Sequence, residues 1–322
     1  MKQLKRNIEY IFSEHLIWVI LVVLCGAGFF VPNFFSTRNI VNIFWASAPL
    51  GCTVLGMFVV MLVSGSDLSL ESTFGFAPTL ATMFMVTWFP DYVTPIMAIL
   101  ITLVTGIIVG LINGLISVKL KVEPFLVTLA TMLIMRGIVI YLIPEGVYYL
   151  PDGFTFIGKY RIGNLVPFSI IVLVLLYLVG YVITNRTSLG KNMYAIGNNA
   201  EAAYVAGIRV ERVKIIAFML AGLFASIGGL IEVGRLSAVT ADMGEGSIMM
   251  VFAGTILGGT SMAGGQGKIT GIFGAVLVLS IIENLLNLFG VDPSIRQIVY
   301  GVILLIAIYL ASMQKKIVRS EL

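Results

Sequence analysis

Charge is scarce in this sequence. Its 322 residues include 16 acidic and 20 basic side chains, 11% of the total, while 59% are hydrophobic and the mean hydropathy is +1.04. Soluble domains carry about a quarter charged residues, so the composition excludes one and points to an integral membrane protein. The net charge of +4 is not clustered. Lys and Arg sit between apolar runs, which is a topology pattern and not a nucleic-acid surface. Histidine is nearly absent: His15 alone, at the edge of the first apolar run, allows no Ser-His-Asp set. No His, Cys, Asp and Glu fall at metal-ligand spacing, so no catalytic and no metal residues are assigned. Both cysteines, Cys25 and Cys52, lie inside apolar runs, where buried thiols are the expectation. The basic N-terminus lacks an A-x-A-like cleavage site, and Leu24 before Cys25 makes a poor lipobox, so a retained first span is expected.

A phosphate loop is also missing. The stretch "LGGTSMAGGQGKITG", Leu257 to Gly271, has a Gly-Lys pair, but Met262 stands where the first glycine of a Walker A loop belongs and Ile269 where its hydroxyl belongs. These glycines need another explanation.

What the sequence has in abundance is apolar runs. Ten segments approach the ~20 residues of a spanning helix: 15–31, 43–64, 72–89, 93–118, 125–143, 165–184, 213–233, 247–263, 269–289 and 296–312. The third and eighth are short and rich in small or polar residues. With a cytoplasmic N-terminus, fourteen Lys and Arg fall inside (Lys2, Lys5, Arg6, Lys119, Lys121, Arg186, Lys191, Arg209, Arg212, Lys214, Lys268, Lys315, Lys316, Arg319). Five fall outside (Arg38, Lys159, Arg161, Arg235, Arg296), and Arg136 lies within a span. This asymmetry predicts both termini in the cytoplasm. The outside loop near 144–164 is rich in Gly, Tyr and turn residues, and the inside loop near 185–212 contains "AEAAYVAG" preceded by Gly-Asn-Asn, a helix start.

A faint repeat runs through the chain. "VEPFLVTLATMLIMRGIVIYL" from Val122 and "VDPSIRQIVYGVILLIAIYL" from Val291 open alike, and "LVSGSDLSLES" from Leu62 parallels "LGGTSMAGGQG" from Leu257 as a small-residue interruption. The topology inverts one half relative to the other, a recurring transporter plan. Gly106, Gly110 and Gly114 share one helix face, as Gly267 and Gly271 would, and allow close helix approach. The glycines of 257–267 read as a broken helix at membrane depth, tolerated only against protein or water. Ionisable residues in spans are functional candidates. Asp67, Glu71 and Glu232 fall near span ends, where solvated carboxylates are ordinary, whereas Arg136 and Glu283 lie deeper. The interruptions at 64–69 and 257–267, with Asp67, Ser69, Arg136, Asn284, Gly258 and Gly259, are the candidate walls of a translocation path. Asp67 and Ser69 offer acceptors and a donor, Asn284 both kinds of group, and Arg136 five donors.

These motifs resemble the permease subunits of bacterial ABC importers of the ribose/monosaccharide type, which share a superfamily with branched-chain amino acid permeases. The resemblance covers almost the whole chain. It rests on "TSLGKNMYAIGNNAEAAYVAGI" from Thr187, "LGGTSMAGGQGKITGIFGAVLVLSIIENLLNLFGV" from Leu257, Asp67-Leu68-Ser69, "INGLISVKLKVEPFLVTLAT" from Ile112, and Arg136-Gly137. The chain departs from the pattern in two places. The family's Gly-Gly-Ile-Asp-Leu-Ser-Val-Gly becomes Ser64-Gly65-Ser66-Asp67-Leu68-Ser69-Leu70-Glu71, and Ile248-Met249-Met250 stands where Glu-Leu-Asp is usual.

The resemblance implies a single transmembrane permease domain over 1–322, all-α, with about ten transmembrane helices, an inverted repeat and broken spans, in the bacterial cytoplasmic membrane. It implies two permease copies side by side as a homodimer, two cytoplasmic ABC ATPases, an extracytoplasmic solute-binding protein, and a small polar solute, a monosaccharide first. No cofactor belongs to this chain; ATP and Mg²⁺ would sit on the ATPase. The segment from Thr187 looks like the family's cytoplasmic coupling segment. Gly197 to Gly207 would form a short helix seated in an ATPase cleft, started by Asn198 and Asn199, with Ala202, Ala203 and Ala206 permitting close approach and Glu201 reaching a polar partner. Two alternatives keep the same spans: an ion-coupled secondary carrier, which has no need of a docking helix at 185–212, and an ABC permease for an amino acid, nucleoside or signalling sugar derivative. A membrane scaffold would leave Arg136 and the broken spans without purpose.

Overall fold

The computed structural model describes residues 17–163 and 165–319. His15, the basic residues Lys2, Lys5 and Arg6, and both chain ends lie outside that range. The described chain is helical, with four two-residue strands. Its helices are α1 (Ile17–Gly28), α2 (Thr37–Leu62), α3 (Leu70–Thr82), α4 (Pro95–Lys119), α5 (Pro124–Leu142), α6 (Asp152–Lys159), α7 (Phe168–Tyr181), α8 (Ser188–Asn198), α9 (Ala200–Val205), α10 (Val210–Leu236), α11 (Ser247–Leu257), α12 (Ile269–Leu288) and α13 (Pro293–Arg319). π-helical turns extend α3 over Met83–Trp88 and α7 over Val182–Arg186. Each of the ten predicted segments overlaps a helix, the eighth only over Ser247–Leu257. Among the described residues, six helices have the length and apolar composition to cross a membrane: α2, α4, α5, α7 with its π turn, α10 and α12. This is an all-α membrane protein.

Local sequence sets the boundaries. Ser36 and Thr94 cap α2 and α4 through their hydroxyls, and Pro95 and Pro124 occupy first-turn positions where the missing N–H costs nothing. α2 is the hub. From Ser47 to Leu62 every residue but Leu50 is buried, packed by α10, α12, α11 and α7. α4 lies against α10 with almost no side chain between them: a Cβ on Gly110 would sit 2.1 Å from the Phe218 carbonyl oxygen, and one on Gly222 2.1 Å from that of Gly106. The small-residue stripe on α4 therefore works by backbone approach, the usual membrane packing device. Gly267 is different from the expectation, since it precedes α12 in a loop and shares no helix face with Gly271.

α10 packs on α3 and α4, and α2 on α11 and α12, while α3 meets α5 and α11 meets α13. Gly56 approaches Ala221 while Gly228 approaches Pro49 and Thr53, so α2 and α10 run antiparallel. The two small-residue interruptions differ in place: 63–69 joins α2 to α3, whereas 257–267 joins α11 to α12. Strand β1 (Val147–Tyr148), following α5, pairs antiparallel with β4 (Ala238–Val239), following α10; β2 (Arg161–Ile162) pairs with β3 (Val166–Pro167). The bundle has two ends. α2 starts at the α6 end, where Trp45 Nε1 donates to the Gly158 carbonyl at 2.9 Å, and finishes at the α8 end, where the Leu62 carbonyl abuts Gly197.

Candidate functional site

The turn after α2 carries buried polar groups into the bundle. Asp67 and Ser69 are 1% and 0% exposed. Asp67 Oδ1 accepts from the Ser69 N–H at 2.9 Å and from the Ser69 hydroxyl at 2.5 Å, fastening the turn just before α3. Ser69 Oγ accepts from Asn113 Nδ2 at 2.8 Å, and Asn113 Oδ1 accepts from the Thr131 hydroxyl at 2.7 Å. The Leu68 N–H donates to Thr128 Oγ1 at 3.1 Å. α3, α4 and α5 thus meet through one polar chain, and Asp67 Oδ2 has no partner among the described residues. An unpartnered carboxylate oxygen in so dry a place is costly, and it can accept from a hydroxyl. Asn113 and Thr131 were missed from sequence. The signal was present, because Gly110, Asn113, Gly114 and Ser117 form one small and polar stripe at helical spacing on an otherwise apolar α4.

A second polar junction sits where two short helices begin. α11 has 11 residues, about 16 Å at 1.5 Å per residue, roughly half of a ~30 Å hydrocarbon core. Its start meets the start of α3. Glu71 Oε2 accepts from the Ile248 N–H at 3.1 Å, filling one of the orphan donors of a helix N-terminus. Glu71 Oε1 faces Arg136 at 3.4 Å, and the guanidinium also donates to the carbonyls of Ala241 at 3.0 Å and Met243 at 3.4 Å. Arg136 lies twelve residues into α5, about 18 Å along it. It braces the irregular 240–246 backbone that precedes α11, backbone that at such depth needs partners from protein. The expectation of solvated carboxylates fails for both residues: Glu71, like Asp67, is buried, because α3 starts inside the bundle and not at its rim. The two departures from the resembled pattern also touch here, Glu71 on one side and Ile248 on the other.

The remaining candidates lie elsewhere. Asn284 exchanges hydrogen bonds with Asn39 at 3.0 and 2.8 Å, and Asn39 also donates to the Phe34 carbonyl, so this amide pair fastens α12 to the start of α2 at the α6 end. The structure does not bring Asn284 to Asp67 or Arg136. Glu283 likewise stands at the α6 end, in the field of Arg235, Glu232 and Arg296; Glu232 pairs with Arg235 at 2.7 Å, and Arg235 and Arg161 lie over the Trp45 ring. Gly258 and Gly259 end α11. The reading of 257–267 as a break within a span is corrected: it is a connecting loop at the α8 end, and the half-length helix starts at Ser247. Gly258 is pressed against Ile272 and Gly271 of α12, and Gly259 has a positive φ of 86°.

The 185–212 loop forms two helices, not one over Gly197–Gly207. Asn199 separates them because its side chain accepts from the Ala202 N–H at 2.9 Å, an N-cap that starts α9 afresh. Gly197 and Asn198 close α8 and face the bundle. Ala203 is 5% exposed and packs on its own chain, so it does not offer the free surface expected of it. Glu201, Ala202, Ala206 and Gly207 are exposed. So are Tyr204 at 72% and Val205 at 82%, two large apolar side chains that sequence reasoning passed over. Burial holds the Tyr194 phenol above its ordinary pKa, so it remains a donor.

Among the described residues, helices long and apolar enough to cross a membrane, packed around buried polar junctions, define a multi-span membrane protein. The chain belongs to the family described as branched-chain amino acid transport system / permease component, which matches residues 39–308. Among curated relatives, it is 33% identical over 305 residues to the ribose import permease protein RbsC of Escherichia coli, covering 93% of each chain. It is 35% identical over 283 residues to RbsC of Bacillus subtilis, covering 87% of this chain and 86% of the relative. It is 32% identical over 336 residues to the galactose/methyl galactoside import permease protein MglC of Escherichia coli, covering 96% and 97%. No solved structure matches.

Proposed function

We propose that this chain is the transmembrane permease subunit of an ATP-driven importer for a monosaccharide. The observation that carries the reading is similarity along nearly the full length of both chains to ribose and galactose import permeases. In this reading the chain crosses the bacterial cytoplasmic membrane ten times with both termini inside. The α8 end is cytoplasmic, in keeping with Lys119, Lys121, Arg186, Lys191, Arg209, Arg212, Lys214 and Lys268 at its loops and flanks. The displayed face of α9, with Tyr204, Val205, Ala202 and Glu201, seats a separate ATPase that carries ATP and Mg²⁺. A second copy of the chain completes the path, and an extracytoplasmic solute-binding protein delivers solute at the α6 end. The path runs past the Asp67–Ser69–Asn113–Thr131 chain and the Glu71–Arg136 junction. Their hydrogen-bonding groups are weak, replaceable partners for hydroxyls, without the tight site that would hinder release.

The test is uptake. A strain lacking this gene, complemented with it beside the ATPase and binding-protein genes, should take up a labelled monosaccharide, and omission of the ATPase should abolish uptake. Uptake that persists without any ATPase would overturn the proposal.

A further inference from the structure

The two most distinctive stretches of the sequence, the one from Thr187 and the one from Leu257, close on each other. At the last turn of α8 three backbones touch. The Ser64 hydroxyl donates to the Ala263 carbonyl at 2.8 Å and lies 3.3 Å from that of Gly197. The Gly265 N–H donates to the Leu62 carbonyl at 3.1 Å, and Asn198 Nδ2 donates to the Gly265 carbonyl at 3.2 Å. The Tyr194 hydroxyl donates to the Gly267 carbonyl at 2.9 Å. No side chain fits between them. A Cβ on Gly197 would lie 2.0 Å from the Leu62 oxygen and 2.2 Å from the Gly265 nitrogen, and Gly265 adopts a positive φ of 69° directly against Asn198.

Both partners of α8 in this contact lead to the crossing of the short helices. Ser64 stands three residues before Asp67, in the turn that starts α3. The 258–268 loop ends α11, whose first turn meets Glu71. One helix end therefore holds the approach to α3 and the exit from α11 together.

We infer that this contact is the clamp by which movement of α8 and α9 reaches both α3 and the half-length α11. Ser64, Tyr194 and Asn198 act as positioning residues, and Gly264 and Gly265 let the three backbones meet. The inference rests on the ATP-driven reading, because it needs a partner that moves α9. A rigid, side-chain-free junction transmits displacement because packed interfaces switch between discrete arrangements and do not deform smoothly. A partner bound to Tyr204 and Val205 would then tilt α3 and α11 as one.

The experiment compares the assembled complex carrying Ser64→Ala with Tyr194→Phe to wild type, in proteoliposomes with the ATPase and binding protein encoded beside this gene. These changes remove the clamp's hydroxyl bonds and leave α9 untouched. The expected result is normal co-purification of the ATPase and continued ATP hydrolysis, with solute moved per ATP reduced at least fivefold. Gly265→Ala should do the same or prevent assembly. A wild-type solute-to-ATP ratio in the Ser64→Ala, Tyr194→Phe complex would overturn the clamp, as would a fall in assembled complex with an unchanged ratio. If wild type itself retains no ATPase, the functional proposal falls and takes the clamp with it.

Discussion

Replacing Arg136 with Ala perturbs the centre of the bundle. The substitution removes the partner 3.4 Å from Glu71 and the donors to the Ala241 and Met243 carbonyls. The side chains of Arg136 and Glu71 are 17% and 9% exposed, so solvent screens the pair little. Truncating one member of a buried pair costs about 3–5 kcal/mol, chiefly because the other charge is left behind. The 3.4 Å separation and the N–H of Ile248 that still reaches Glu71 place the expected loss near the lower end, about 3 kcal/mol. Removing the charge from both sides should cost less than the sum of the single changes: Arg136→Ala with Glu71→Gln leaves no buried ion and retains an oxygen for Ile248, with a coupling of about 1–3 kcal/mol between the sites. Unfolding of the purified chain in mixed micelles, followed by circular dichroism across the four variants, measures the cycle. Wild-type stability for Arg136→Ala, or additive losses, would refute the brace.

Other outcomes follow from the same geometry. Asn284→Leu should destabilise the chain by about 1–3 kcal/mol by stranding Asn39, and Asn39→Leu added to it should recover most of the loss, since replacing both partners of a hydrogen bond can be nearly neutral; micelle unfolding would show no recovery if the amide pair is not the reason. Gly110→Leu should abolish folded, monodisperse protein by size-exclusion chromatography, because even a Cβ there lies 2.1 Å from the Phe218 oxygen; a normal elution profile contradicts the close approach of α4 and α10. Ala202→Arg and Val205→Asp should leave the permease inserted and remove ATPase co-purification, and undiminished co-purification would clear α9 of docking. A single cysteine at Ser188 should react with an impermeant thiol reagent only after the membrane is opened, and labelling in intact cells would reverse the orientation.

Much of this was legible in the sequence wherever composition or periodicity carries the information. Apolar runs marked where helix lies. What failed was depth. Hydropathy averaged 247–263 into one span, while the chain in fact spends 240–246 on irregular backbone that Arg136 supports and stops α11 at Gly258. The same blindness set Glu71 and Asp67 at a rim, because no linear pattern says that α3 begins inside the bundle. Side-chain pairing between helices was hidden as well. Asn113 on α4 meets Ser69, and Asn284 on α12 meets Asn39, contacts that only the tertiary packing creates. Within 197–207, the exposure of Tyr204 and the burial of Ala203 depend on which way α9 turns after its Asn199 cap.

The account stands most directly on one measurement in proteoliposomes containing this chain, its ATPase and the binding protein. ATP enclosed with the ATPase should drive accumulation of a labelled monosaccharide at the same rate after ionophores collapse the proton and sodium gradients. Accumulation by this chain alone, driven by an imposed ion gradient and insensitive to ATP, would contradict it.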